Sequence, residues 1–248
     1  MLRSRPVHVA FQPESKVTAL VLSLNGDITA WAEGDGQVFI ARHEHSEFTV
    51  TGSWKASSMV RGMVLRGNSL YVLDDAHGLS CLDTKGNIQW QFEIGAGGFD
   101  LQKTPTGLAI VDGLGRLFLI QYDGTEVTLS NSYQDILHMQ VVGDYLILAH
   151  ENGRVQALVN GALAWSRPAR GEKGESITCI GSDSNNNLVI GREGYALVAG
   201  DEEVLEIEVW DLVHQKLQHR FDDQQLAFPL LEVRSLFLLP VHVLFQVG

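Results

Sequence analysis

Cysteine is nearly absent. Cys81 and Cys179 are the only two in 248 residues, and neither lies in a CxxC or other metal-ligand spacing. That excludes a readable zinc site or disulfide framework, and two free, partly buried thiols are expected. Proline is sparse, with 6 residues against 25 glycines. With 45% hydrophobic and 19% charged residues, the composition is that of a globular chain, not a disordered one. No apolar run reaches the roughly 18 residues that span a bilayer. The most apolar, "SLFLLPVHVLFQVG" at 235–248, is interrupted by Pro240 and His242. The N-terminal "MLRSRPVHVAFQPESK" lacks the apolar core of a secretory signal. A soluble cytoplasmic protein with no membrane partner is the expectation. Positive charge is also short: 18 Lys and Arg against 30 Asp and Glu give a net charge of −12. Such a surface repels phosphate backbones, so broad nucleic-acid binding is not expected. The basic residues of "SRPARGEKGE" (166–175) are diluted by two Glu and read as a solvated loop.

Catalytic motifs are missing as well. No GxSxG occurs, and the nine His are scattered. "GAGG" (95–98) is Gly-rich but lacks the Lys-Ser/Thr and helix of a phosphate loop, so it reads as a connection.

What the chain does have is a repeat of about forty residues. Each unit is four short apolar strands separated by tight turns. The second unit reads "RGMVLRG" (61–67), "SLYVLDD" (69–75), "GLSCLDT" (78–84) and "KGNIQWQFEI" (85–94). The first runs from Val17 to Trp54 and the fourth from Leu137 to Pro168. The third, Phe99 to Asn131, ends in "TEVTLSN" as its fourth strand. The fifth reads "SITCIGSD", "NLVIGREG" and "LEIEVWDLVHQKLQHRF", with extra residues around 194–204. The glycine before each third strand falls at Gly36, Gly78, Gly115 and Gly153, in steps of 42, 37 and 38. Such steps hold four strands and no helix, and Gly at those turns supplies the positive φ that hairpins need. Over 204–210, apolar residues alternate with Glu, which predicts a strand with one solvated face. Four-stranded units at this period predict an all-β, six-bladed β-propeller occupying 1–248 as a single domain.

Closure of the ring is predicted from the chain ends. "LAFPLLEV" (226–233), "SLFLLP" (235–240) and "VHVLFQVG" (241–248) supply three strands of a sixth unit. "VHVAFQ" (7–12) precedes the first unit and nearly repeats "VHVLFQ" (241–246), 234 residues away. The expectation is that 7–12 completes the last blade, lying antiparallel beside 241–246 and removing two bare sheet edges. An incomplete seven-bladed ring is the alternative.

"YVLDDAHGLSCLDTKGNIQWQF" (71–92) resembles a repeat of the quinoprotein-like propellers through Leu82, Asp83, Gly86 and Trp90. That resemblance implies a Trp docking blade against blade, and Gly161 with Trp165 gives a weaker copy. "IEVWDLVHQKLQHRF" (207–221) resembles a WD-repeat blade at Trp210 and Asp211, without the upstream His-Gly pair. The resemblance implies architecture, not activity. Quinoprotein dehydrogenase chemistry does not fit, because adjacent cysteines and an eight-bladed length are both lacking.

The predicted innermost strands hold only Asp100, Asp183 and Glu232 as acids, at positions that do not correspond, so no metal cage or cofactor is expected. The function expected is a non-enzymatic protein-interaction platform, a subunit or scaffold of a larger complex. A lactonase-like metal-dependent hydrolase and a small-ligand-sensing propeller are the alternatives. Candidate partner-binding residues are those of the polar turns between second and third strands: Asp75, His77, His150, Glu151, Asn152, Arg192 and Glu193.

Overall fold

The computed structural model describes residues 13–44, 47–170, 175–194 and 205–221. Among them are nineteen strands and no helix. Residues 13–168 form one compact unit, and the described residues from 169 onward belong to another. The expected pairing of 7–12 with 241–246 lies outside the described residues, as does the sixth repeat.

The first unit holds four antiparallel sheets, each with strands paired in chain order. Sheet one is β1 Val17–Leu22, β2 Ile28–Glu33, β3 Gln37–Glu44 and β4 Glu47–Lys55. Sheet two is β5 Val60–Arg66, β6 Ser69–Asp74, β7 Gly78–Asp83 and β8 Ile88–Glu93. Sheet three is β9 Gly98–Lys103, β10 Gly107–Asp112 and β11 Leu117–Gln121. Sheet four is β12 Ile136–Val142, β13 Tyr145–His150, β14 Val155–Val159 and β15 Ala162–Arg167. The second unit holds sheet five: β16 Glu175–Ser182, β17 Leu188–Gly194, β18 Leu205–Asp211 and β19 Lys216–Phe221.

The second strands explain the stacking. β2 and β10 are buried at every position, so both faces need a neighbour. In β6, Leu70 and Val72 join a core with Ile28, Ala30 and Ile40 of sheet one. The intervening Tyr71 and Leu73 join Leu108 and Ile110 of sheet three. In β10, Ala109 and Val111 turn the other way, onto Leu146, Leu148 and Leu158 of sheet four. Period-two alternation thus builds one apolar layer per sheet junction. Each fully buried Leu or Ile contributes about 1.5–3 kcal/mol. The first strands β1, β5, β9 and β12 lie beside one another in that order.

Two expectations need correction. Sheet three has three strands, not four. Residues 125–131 make only one ladder bridge, Ile120 to Glu126, and Val127 donates to the Leu119 carbonyl. The segment then leaves the ladder because its apolar side chains are claimed by the core: Leu129 packs against it and Tyr133 is buried in it. Gly161 permits this, since a Cβ there would meet Leu129 and Leu119 at 3.0 and 3.2 Å.

The second correction concerns β18. Glu208 was expected on a solvated face and is fully buried, hydrogen-bonded to Arg170, Arg220 and the Trp210 indole. "SRPARGEKGE" is likewise not simply a solvated loop, for Arg167 and Glu175 at its two ends are buried. The "GAGG" segment is the expected connection, running from β8 into β9. Gly97 has φ +69°, and a Cβ on it would sit 1.9 Å from the Asp75 carbonyl oxygen. Both cysteines are free, Cys81 buried and Cys179 half-buried.

Candidate functional site

All five sheets share a local device at one end. In each, the register between first and second strands shifts by one residue near the start of the first strand. The shifts fall between Val17 and Ala19, Val60 and Gly62, Ile136 and His138, and Ile177 and Cys179, and opposite Val111/Asp112 in sheet three. The extra residues are Thr18, Arg61, Phe99, Leu137 and Thr178. A bulge of this kind re-aims its side chain out of the strand's alternation. Phe99 is 50% exposed and Leu137 46%, an unusual exposure for apolar residues on the innermost strand of a stacked sheet. Arg61 is exposed too and forms a two-pronged ion pair with Asp75, Nε and Nη2 each 2.9 Å from a carboxylate oxygen.

Opposite each bulge the second strand carries a buried polar residue, Glu33, Asp74, Asp112, His150 and Arg192 in sheets one to five; it is the last of its strand in the first four and two residues short of the end in β17. The first three are acceptors for backbone N–H groups. Glu33 takes those of Glu14 and Ser15, Asp74 those of Ala76 and His77, and Asp112 those of Leu114 and Arg116. His150 reverses the polarity, its Nδ1–H donating to the Gln134 carbonyl at 2.7 Å. Burial pushes the His150 imidazole below its ordinary pKa, against the opposing pull of that hydrogen bond. The turns are tied down by the backbone as well. Asp75 N–H donates to Met59, Gly113 to Gly97 and Glu151 to Asp135. The landmark glycines Gly36, Gly78, Gly115 and Gly153 all take positive φ, from 72° to 121°.

Of the seven residues expected in the turns, Asp75, His77, Glu151 and Asn152 are there and exposed. Three are elsewhere. His150 is the last residue of β13 and is buried. Arg192 and Glu193 lie within β17, and Arg192 is buried against Glu175 and Glu206. Glu151, Asn152 and Arg154 border a small cleft with Asp135 and the edge of His150. What the sequence reading missed is the bulge set. Thr, Arg, Phe, Leu and Thr share no residue type, so only the register reveals their equivalence.

Sheet five departs most from the others. Glu175, Glu206 and Glu208 face Arg170, Arg192 and Arg220 in a network of equal opposite charge, with Arg170 Nη1 2.8 Å from Glu206 and 3.0 Å from Glu208. Such a network is tolerated away from water because each charge has a counter-charge and a hydrogen bond. Trp210 and Asp211 differ from the His–Asp network of a WD blade. Asp211 instead accepts from the backbone of His214 and pairs with its imidazole, three residues on. The sequence-marked Trp90 does lie at a sheet junction: its ring would be 2.9 Å from a Cβ on Gly124, in the segment following β11. Asp100 on β9 is held toward its neutral form by burial, with Gln102 donating to it. Among the described residues no cluster of three His, Cys, Asp or Glu has metal-binding geometry.

Comparison with solved structures bears on this architecture. The computationally designed protein Ika8 aligns with TM-score 0.64 and 14% identity, over 86% of this chain and 64% of its own. The Cps50 (Swd1) β-propeller domain of Myceliophteria thermophila aligns with TM-score 0.56 and 13% identity, over 86% of this chain and 88% of its own. The C-terminal WD40 domain of Sif2 gives 0.55 and 13%, over 84% and 73%. This chain therefore spans a little under two thirds of Ika8's length. No protein-family model matches the sequence, and the comparison with curated proteins gives no match. At these identities the likeness concerns fold: the chain has a WD-repeat-like β-propeller architecture.

Proposed function

We propose that the chain is a non-enzymatic protein-interaction platform, working in the cytoplasm as a subunit or scaffold of a larger complex. One observation carries this reading: the recurring bulge that exposes Arg61, Phe99 and Leu137 on neighbouring first strands, β5, β9 and β12, at the end where the polar turns lie. Arg and aromatic side chains are the residue types that anchor interfaces, and an apolar centre ringed by polar groups is how such interfaces are built. Asp75, His77, Glu151 and Asn152 form the surrounding polar ring. His150 serves from beneath, by holding the Gln134 carbonyl and so the segment that leads into β12. The partner is a protein whose contact surface is basic or mixed in charge, in keeping with a platform of net charge −12.

The reading extends to a single six-bladed ring, in which 7–12 lies beside 241–246. Hydrogen exchange tests that part. Amides of the two segments are expected to be protected together, and removal of residues 1–12 to abolish protection at 241–246. Unchanged protection at 241–246 would contradict the closure.

The platform itself is tested by capturing partners from the native source with the unmodified chain and with Phe99→Ala and Leu137→Ala, then measuring affinities for whatever is captured. Loss of about 2 kcal/mol or more per variant is expected of a central anchor. Partners that bind both variants with undiminished affinity would remove the assignment.

A further inference from the structure

The opposite ends of the strands hold a second feature. The turn between β1 and β2, the turn between β5 and β6 and the end of β9 enclose a cleft of about 380 Å³. Ser23, Asn25, Asp27, Arg66, Asn68 and Lys103 supply its polar lining. The chain carries twelve more acids than bases, yet Arg66 and Lys103 stand together here with no carboxylate partner among the described residues. The one carboxylate in the lining, Asp27, is already engaged by the Ser23 hydroxyl at 2.7 Å, and it also feels Arg42 just behind the cleft.

Arg66 is held in place. The Arg66 guanidinium lies 4.0 Å over the Tyr122 ring, and that ring is fixed by its hydroxyl donating to the Thr104 carbonyl at 2.8 Å. Tyr71 braces the same residue by donating to the Tyr122 carbonyl. Arg42 Nη2 donates to Asn68 Oδ1 at 3.4 Å, which leaves the Asn68 amide N–H groups available. A planar guanidinium fixed on an aromatic ring has little freedom left to lose on binding. Counting Arg42, which bonds Asn68 of the lining, three cations around the cleft outnumber its one carboxylate, Asp27, by two, and Arg66 offers a fork and Lys103 a point donor. That matches a doubly charged tetrahedral oxyanion better than a single carboxylate.

We propose that this cleft is an oxyanion site that takes a phosphate group, presented either by a free phosphate compound or by a phosphorylated side chain of a partner. The site is separate from the bulge surface and does not depend on it.

Calorimetric titration of the full chain tests this, with inorganic phosphate in sodium chloride of matched ionic strength. Saturable binding is expected. Arg66→Gln with Lys103→Gln should weaken it about tenfold or more. Lys85→Gln, an exposed cation outside the cleft, should leave it unchanged. A second arm compares a phosphoserine-containing Gly-Ser peptide with its unphosphorylated form. Tighter binding of the phosphopeptide than of inorganic phosphate assigns the site to a partner's side chain, and equal or weaker binding to a free phosphate compound. No saturable binding in either arm overturns the proposal. Undiminished binding by a double variant that keeps the unmodified chain's melting temperature in chloride does so as well.

Discussion

Sheets one to three and sheet five solve the same problem with opposite charges. In every sheet the second-strand residue set opposite the bulge is buried and polar. In sheets one to three it is a carboxylate that collects backbone N–H groups, those of its own turn in sheets two and three and those of Glu14 and Ser15, just before β1, in sheet one. In sheet four it is a neutral imidazole holding one carbonyl. In sheet five it is Arg192, which collects carboxylates from β16 and β18 instead. The backbone frame is therefore indifferent to the sign of the group it buries. Each group has a partner, though in sheet four only through Nδ1, since His150 Nε2 is buried without one, and sheet five draws its partners from residues 170 to 220.

The difference makes sheet five the more fragile under single substitutions. Arg192→Met removes the guanidinium that pairs the fully buried Glu175 and leaves Glu206 to Arg170 and Arg220. A loss of about 3–5 kcal/mol is expected in denaturant unfolding. The matching change in sheet three, Asp112→Ala, frees the Leu114 and Arg116 N–H groups at a turn that water reaches. A smaller loss, about 1–3 kcal/mol, is expected. Equal losses would dissolve the distinction between a local cap and a network.

Sheet four sharpens the comparison through pH. The folded His150 pKa is depressed, so the unfolded chain takes up that proton first. Its contribution is intact above the ordinary histidine pKa of about 6.5 and is lost as pH falls below it. His150→Gln should flatten the stability profile below about pH 6.5. A profile unchanged by the substitution would mean that His150 is not held neutral. Asp100 has the opposite sign: its folded pKa is raised, so it destabilises increasingly as pH rises through the carboxylate range. Asp100→Asn is expected to raise the melting temperature at neutral pH modestly.

Much of this architecture was legible in the sequence. The repeat, the strand order within sheets and the glycines before the third strands follow from period-two patterning and turn chemistry, which act over a few residues. The failures are where distant residues decide. "LEIEVWD" alternates as a half-solvated strand should, yet Glu208 is buried, because its partners Arg170 and Arg220 come from other elements. "TEVTLSN" alternates too, but Leu129 and Tyr133 gain more from the junction with sheet four than from a ladder. Arg192 in "GREG" reads as a turn cation, since nothing local marks the two carboxylates around it. The site was half legible. Asp75, His77, Glu151 and Asn152 announce themselves as polar turns, whereas Phe99 and Leu137 look like ordinary core residues until the bulge turns them outward.

The smallest expected effect on stability belongs to those two residues, and the account rests on them. The decisive measurement is the paired determination of stability and partner affinity for the Phe99→Ala/Leu137→Ala double variant. Stability within about 0.5 kcal/mol of the unmodified chain, with partner binding abolished, is the predicted result. A variant that unfolds easily, or one that binds as before, would show the bulges to be packing features and not a recognition surface.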